Sequence, residues 1–82
     1  MFINKSADGR NNVSGIAVAR LRKDMGISQR ELADRLQLAG LDIDKNAVQR
    51  MESGQRFITD IELIALCKTL RVSADALLYP DT

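Results

Sequence analysis

The sequence predicts an all-α domain of five helices. Cap signals stand at Ser28, Asp44, Thr59 and Ser73, and apolar residues recur behind them at helical spacing. No segment alternates with period two over enough residues to make a strand. Eighty-two residues make one domain, and a chain of this size buries only about 60% of its unfolded surface, so one core must absorb most of its apolar residues.

In the first helix Val18, Leu21 and Met25 form the apolar stripe. Ser28-Gln29-Arg30-Glu31 then reads as a capping box: the Ser28 hydroxyl takes the third helical amide while Glu31 reaches back to the cap amide. The second helix therefore starts at Gln29, with Leu32, Ala33 and Leu36 inward and Arg30, Asp34 and Arg35 outward. After Ala39-Gly40-Leu41-Asp42-Ile43, where Gly40 permits the reversal, Asp44 caps a third helix over Lys45–Ser53 that Gly54 terminates. Thr59-Asp60-Ile61-Glu62 is a second capping box, opening a helix that runs to about Leu70 with Leu63, Leu66, Cys67 and Leu70 inward. Arg71-Val72 interrupts it, and Ser73 caps a last short helix ending near Leu78, with Pro80 as the stop. Phe57 and Ile58 are expected to pin the preceding loop into the core.

The third helix carries the most specific pattern. Val48 and Met51 share one side, while Asn46, Gln49, Arg50 and Ser53 recur at i, i+3, i+4 and i+7 on the other. Arg matches guanine O6 and N7, and Asn or Gln matches adenine N6 and N7. An exposed row of such side chains is what a helix needs to read double-stranded DNA, although any solvated helix face can carry them.

Two charges fall on apolar stripes. Arg22 lies at i+4 from Val18, and Glu52 at i+4 from Val48. Burying either alone is costly, so the economical arrangement pairs them and ties the first helix to the third. Glu52 sits near a helix C-terminus, where the dipole disfavours an anion, which again calls for a compensating cation.

These residues together resemble the Cro and lambda-type phage repressor helix-turn-helix proteins, the XRE family. The resemblance rests on Val18, Leu21-Arg22-Lys23-Asp24-Met25-Gly26-Ile27-Ser28-Gln29, Glu31-Leu32-Ala33, Val48 and Arg50-Met51-Glu52-Ser53-Gly54. It continues through Leu63, Leu66, Leu70, Val72-Ser73 and Leu77-Leu78, spanning about Val13 to Tyr79. It implies a five-helix lambda-repressor-like DNA-binding domain over residues 13–79, between a segment of residues 1–12 and a tail of residues 80–82. It also implies the ion pair between Arg22 and Glu52.

The resemblance assigns roles to single residues. It implies that Gln29 contacts phosphate, that Lys45, Asn46 and Arg50 enter the major groove, and that Gln55 and Arg56 touch the sugar-phosphate backbone. Gln49 joins the base-reading set by its periodicity. The turn from Gln37 to Asp44 departs from the family, carrying about five residues more than usual, so either the second helix extends by a turn through Leu38 and Ala39 or the loop widens. Asp42 and Asp44 set two carboxylates near the expected phosphates, which is adverse unless Asp44 is occupied as a cap. An acceptor role for Asp42 toward cytosine is the alternative.

Composition narrows the function further. The single cysteine, Cys67, excludes an internal disulfide, fits a reducing cytoplasm, and shares helical spacing with leucines, as a buried structural thiol would. There is no histidine, no Gly-rich phosphate loop and no catalytic constellation, so neither an enzyme nor a metal site is expected, and no cofactor or small-molecule ligand is evident. No apolar stretch approaches the ~18 residues of a membrane helix, and the polar start is unlike a signal sequence, so a soluble, cytoplasmic protein is expected.

Residues 1–12 read as a flexible, inert segment, although Lys5 and Arg10 offer charges that could lie along DNA. Net charge is only +1, but Met1 to Arg56 holds ten Lys and Arg against seven acids, whereas Phe57 to Thr82 holds two against four. So weak a basic bias suggests that tight binding needs two copies on adjacent half-sites. Ile61, Ile64, Leu78 and Tyr79 are left over from the inward stripes and form a candidate dimer surface. A two-fold homodimer would read a palindromic operator with half-sites roughly 10 base pairs apart.

The sequence thus points to a sequence-specific transcriptional regulator, a repressor by the resemblance, with DNA as partner. The alternative is a protein-interaction module on the same scaffold, such as an antitoxin or a regulator that sequesters a partner. The set Gln29, Lys45, Asn46, Arg50 and Arg56 separates the two, because a pure protein binder has no reason to place amide and basic groups at every DNA-facing position.

Overall fold

A computed structural model describes residues 4–79. The five helices, in chain order, are α1 (Gly15–Asp24), α2 (Gln29–Leu38), α3 (Lys45–Ser53), α4 (Asp60–Leu70) and α5 (Ala74–Leu78). No strand occurs among the described residues. The stop at Pro80 and the tail of residues 80–82 lie outside them, as do residues 1–3 of the amino-terminal segment.

The helix starts follow their caps. Ser28 Oγ accepts the Glu31 amide at 3.0 Å, Asp44 Oδ1 accepts the Ala47 amide at 2.8 Å, and Ser73 Oγ accepts the Ala76 amide at 3.4 Å. At α4 both halves of the capping box form: Thr59 Oγ1 accepts the Glu62 amide at 3.2 Å and Glu62 Oε1 accepts the Thr59 amide at 3.0 Å. At α2 only the serine half forms. Glu31 turns instead to Arg35, one helical turn on, with Oε2 2.7 Å from Nη2, so an exposed i, i+4 pair outcompetes the backbone amide for this carboxylate.

α3 packs against both α1 and α2, while α4 and α5 close the other side of α1. The core is built from Val18, Leu32, Leu36, Val48, Met51, Leu66 and Leu77, all fully buried. Val48 and Met51 alone supply roughly 1.5–3 kcal/mol each in burial, which sets the facing of α3.

The pair inferred from the two misplaced charges is present and tightly enclosed. Arg22 Nε lies 2.7 Å from Glu52 Oε2 and Nη2 lies 3.1 Å from Oε1, while Nη1 donates to the Ile27 carbonyl at 2.8 Å. The two side chains are 11% and 8% exposed, and the Glu52 hydrogen bond holds the Arg22 guanidinium above its ordinary pKa.

The long connection between α2 and α3 divides its extra residues. α2 runs on to Leu38, Ala39 caps it, and the Leu41 amide returns to the Leu36 carbonyl at 3.0 Å. From there the chain reaches Asp44 as a short loop pinned twice, by Ile43 in the core and by Gln37 Nε2 donating to the Ile43 carbonyl at 2.7 Å.

Three further expectations are corrected. Phe57 is 64% exposed rather than buried, because residues 55–59 run with alternating burial that turns Arg56 and Ile58 inward and Gln55, Phe57 and Thr59 outward. Met25 is exposed, because α1 ends at Asp24 and the chain leaves the apolar stripe there; Ile27 is buried in the core instead. The segment of residues 1–12, read as flexible, ends in three residues built into the domain, since the side chains of Arg10, Asn11 and Asn12 all donate to backbone carbonyls between Met51 and Arg56. Neighbouring donors and carbonyls satisfy each other more cheaply there than by staying solvated apart.

The contact between α1 and α3 is close enough to require glycine. A Cβ on Gly15 would lie 2.0 Å from the Met51 carbonyl oxygen and 2.6 Å from Asn12 Oδ1. Gly15→Ala is therefore expected to destabilise the domain by about 1–3 kcal/mol in urea unfolding, and an unchanged midpoint would contradict this packing. Arg22→Met, which strands the Glu52 carboxylate, is expected to cost about 3 kcal/mol. Combined with Glu52→Gln it should cost less than the two single changes added, by about 0.5–3 kcal/mol, in a double-mutant cycle; strict additivity would show that the two are not coupled.

Candidate nucleic-acid interface

The face of α3 opposite the core presents Lys45, Asn46, Gln49 and Arg50, all exposed, while Ala47, Val48 and Met51 are buried beneath them. Periodicity places the four outward and packing fixes them there. Their side chains make no hydrogen bond or ion pair with the described residues, so their donors and acceptors face solvent. The helix is bounded by the Asp44 cap and by Gly54 in the left-handed region at φ 83°. Asp44 is thereby occupied at a helix N-terminus, where its charge is favourable. Asp42 remains exposed in the loop before it.

The residues expected at phosphates flank this face with different attachments. Gln29, half-buried at the start of α2, donates from Nε2 to Glu52 Oε1 at 3.0 Å. It therefore joins Arg22 on the same carboxylate and links α1, α2 and α3 through one group. Gln55, just past α3, is exposed, with its amide returning to the Arg50 carbonyl at 2.9 Å. Arg56 is half-buried and forks onto Glu62, with Nη1 to Oε1 at 3.2 Å and Nη2 to Oε2 at 3.1 Å. Its first task in the fold is to hold the loop to the start of α4.

The four residues of the candidate dimer surface are not brought into one patch. Ile61 and Ile64, 70% and 57% exposed, line a shallow groove on α4 with Leu41 and Lys68. Leu78 is half-buried and borders a different cavity, beside Val13, Ile16 and Arg20. Tyr79 is 61% exposed at the end of α5.

Neither the part played by residues 10–12 nor the bond of Gln29 to Glu52 follows from the sequence pattern. The partners of residues 10–12 are backbone carbonyls, which carry no residue signature. The available hint was a run of three strong donors, Arg10-Asn11-Asn12, directly before the first helix. Among the described residues no cluster of three or more acidic, cysteine or histidine side chains could hold a metal ion, and no helix is long and apolar enough to cross a membrane.

Comparison with known proteins agrees with this fold. The chain superposes on the P22 c2 repressor protein, solved in complex with a synthetic operator in the presence of Tl+, with a TM-score of 0.72 at 26% identity, covering 84% of this chain and 97% of that one. It superposes on the restriction-modification controller protein C.AhdI from Aeromonas hydrophila with a TM-score of 0.68 at 26% identity, covering 78% and 86%. The clp gene regulator ClgR from C. glutamicum shares the fold, with a TM-score of 0.69 at 24% identity and coverage of 80% and 79%. No curated protein matches by sequence. The helix-turn-helix family model matches residues 18–77, from within α1 to within α5, and the chain belongs to that family.

Proposed function

We propose that the protein is a sequence-specific double-stranded DNA-binding transcriptional regulator, a repressor, that inserts α3 into the major groove. The carrying observation is the outward row Lys45, Asn46, Gln49 and Arg50, unpaired on a helix whose opposite face is locked in the core. Arg50 offers two parallel donors to guanine O6 and N7, and Asn46 and Gln49 offer the donor and acceptor pair that matches adenine. Lys45 adds a cation at the helix start. Gln29, Gln55 and Arg56 contact the phosphates on either side and fix the register of α3 along the groove. Similarity to the P22 c2 repressor, whose solved structure includes an operator, supports this reading.

Binding follows a two-fold arrangement. With a net charge of only +1, one copy gathers little non-specific affinity, and two copies on half-sites about 10 base pairs apart supply what one lacks. Of the four apolar residues only Ile61 and Ile64 share a groove, on α4, and these two provide the apolar surface for the pairing. The site of action is the cytoplasm, where such DNA lies.

Selection of bound sequences from random duplexes is expected to return a palindromic consensus, and sedimentation is expected to show two copies on it; a monomer on that duplex would remove the dimer. Against the selected sequence, Arg50→Ala should lose about 1–3 kcal/mol of discrimination at one base pair, whereas Gln55→Ala should weaken all duplexes about equally. Equal effects of both changes on every duplex would contradict base reading by α3.

A further inference from the structure

The last turn of a helix leaves its carbonyls without intrahelical partners, and at α3 the segment before α1 supplies them. Arg10 Nη2 donates to the Glu52 carbonyl at 2.7 Å and approaches the Met51 carbonyl at 3.5 Å. Asn12 Nδ2 donates to the Met51 carbonyl at 2.9 Å and to the Arg56 carbonyl at 2.8 Å. Asn11 donates its backbone amide to the Gly54 carbonyl at 2.8 Å and its side-chain amide to the Gln55 carbonyl at 3.0 Å. Three consecutive residues thus satisfy five carbonyls at the end of α3 and along the loop carrying Gln55 and Arg56.

Several features make this a built contact. A guanidinium at a helix C-terminus is favoured by the dipole and offsets the adverse Glu52 there. Asn12 Oδ1 also accepts the Gly15 amide at 2.8 Å, so one side chain joins the start of α1 to the end of α3. The Arg10 side chain passes close over Gly54, where a Cβ would come within 2.8–2.9 Å of its Cζ, Cγ and Nε. The segment is also folded on itself, with Ser6 Oγ hydrogen-bonded to Asp8 and both side chains accepting the Arg10 amide, at 3.1 and 3.3 Å. Arg10 Nε is buried with no acceptor among the described residues, a cost the grip on the carbonyls must outweigh.

We propose that Arg10, Asn11 and Asn12 form a positioning strap that fixes the C-terminal end of α3 and so sets the pitch at which its outward face meets DNA. The strap touches no base. It acts by holding the Met51–Arg56 carbonyls against α1, which prevents α3 from rotating about its buried Val48 and Met51. The proposal rests on α3 being the reading helix.

The test compares the full chain with Arg10→Met, which keeps the stem over Gly54 but loses the donors, and Arg10→Lys, which restores a cation for the Glu52 carbonyl and removes the orphaned Nε. Arg10→Met is expected to speed hydrogen exchange at the Gly54 and Gln55 amides roughly tenfold, with α2 and α4 amides unchanged. Well below the melting temperature, it should reduce the affinity ratio between selected and scrambled duplexes about tenfold while affinity for the scrambled duplex holds. Arg10→Lys should recover most of both. Should Arg10→Met not fold, Asn11→Ala, which removes a single exposed bond to the Gln55 carbonyl, is expected to show the same pattern at smaller amplitude. Unchanged exchange, or a lowered melting temperature with discrimination intact, would overturn the positioning role. If the unaltered chain bound no duplex, the DNA reading would fall, and the exchange rates would still decide whether the strap holds α3.

Discussion

The Glu52 carboxylate is the group on which the arrangement of the first three helices depends. It receives Arg22 from α1 in a fork and Gln29 from α2, and it belongs to α3, so one nearly buried anion relates three helices at once. An anion near a helix C-terminus is adverse alone. The compensation arrives from both directions, by Arg22 on its carboxylate and by Arg10 on its backbone carbonyl. A hydrophobic contact tolerates sliding, whereas a forked ion pair specifies angle and register. With the apolar side of α3 fixed in this way, the polar side has one orientation to offer.

Charge in this small domain is largely spent on structure. Asp44 caps α3, Glu31 pairs with Arg35, Glu62 both caps α4 and holds Arg56, and Glu52 is enclosed. Much of the acidic side chain inventory is thereby drawn into local pairs. The cations and amides on α3 have no such partner within the described fold, so a chain of near-neutral net charge still presents one face of unpaired polar groups. Asp34 and Asp42 remain exposed, and Asp34 lies with Asp44 and Lys45 at the start of α3.

Much of this was legible in the sequence, for identifiable reasons. α3 was bounded correctly because both its ends carry chemistry that is specific to helix ends, Asp44 and Gly54. The Arg22–Glu52 pair was legible because each charge broke an otherwise apolar stripe, and two such breaks imply each other. Phe57 departs from expectation because the alternation of an extended loop, and not hydrophobicity, decides which side chains turn inward. Residues 10–12 escaped because polar residues before a helix look alike whether solvated or docked, and their acceptors are main-chain oxygens of distant residues. Ile61, Ile64, Leu78 and Tyr79 share only their absence from the inward stripes, and helical periodicity does not report whether such residues on different helices adjoin.

The proposed role requires that duplex DNA sit on the outward side of α3. Amide-resolved NMR titration of the chain with its selected duplex measures this most directly. The account predicts that the largest perturbations fall on Lys45–Arg50, with smaller ones at Gln29, Gln55 and Arg56 and little change within α5. Perturbations confined to α4 and α5, with the α3 amides unmoved, would contradict it.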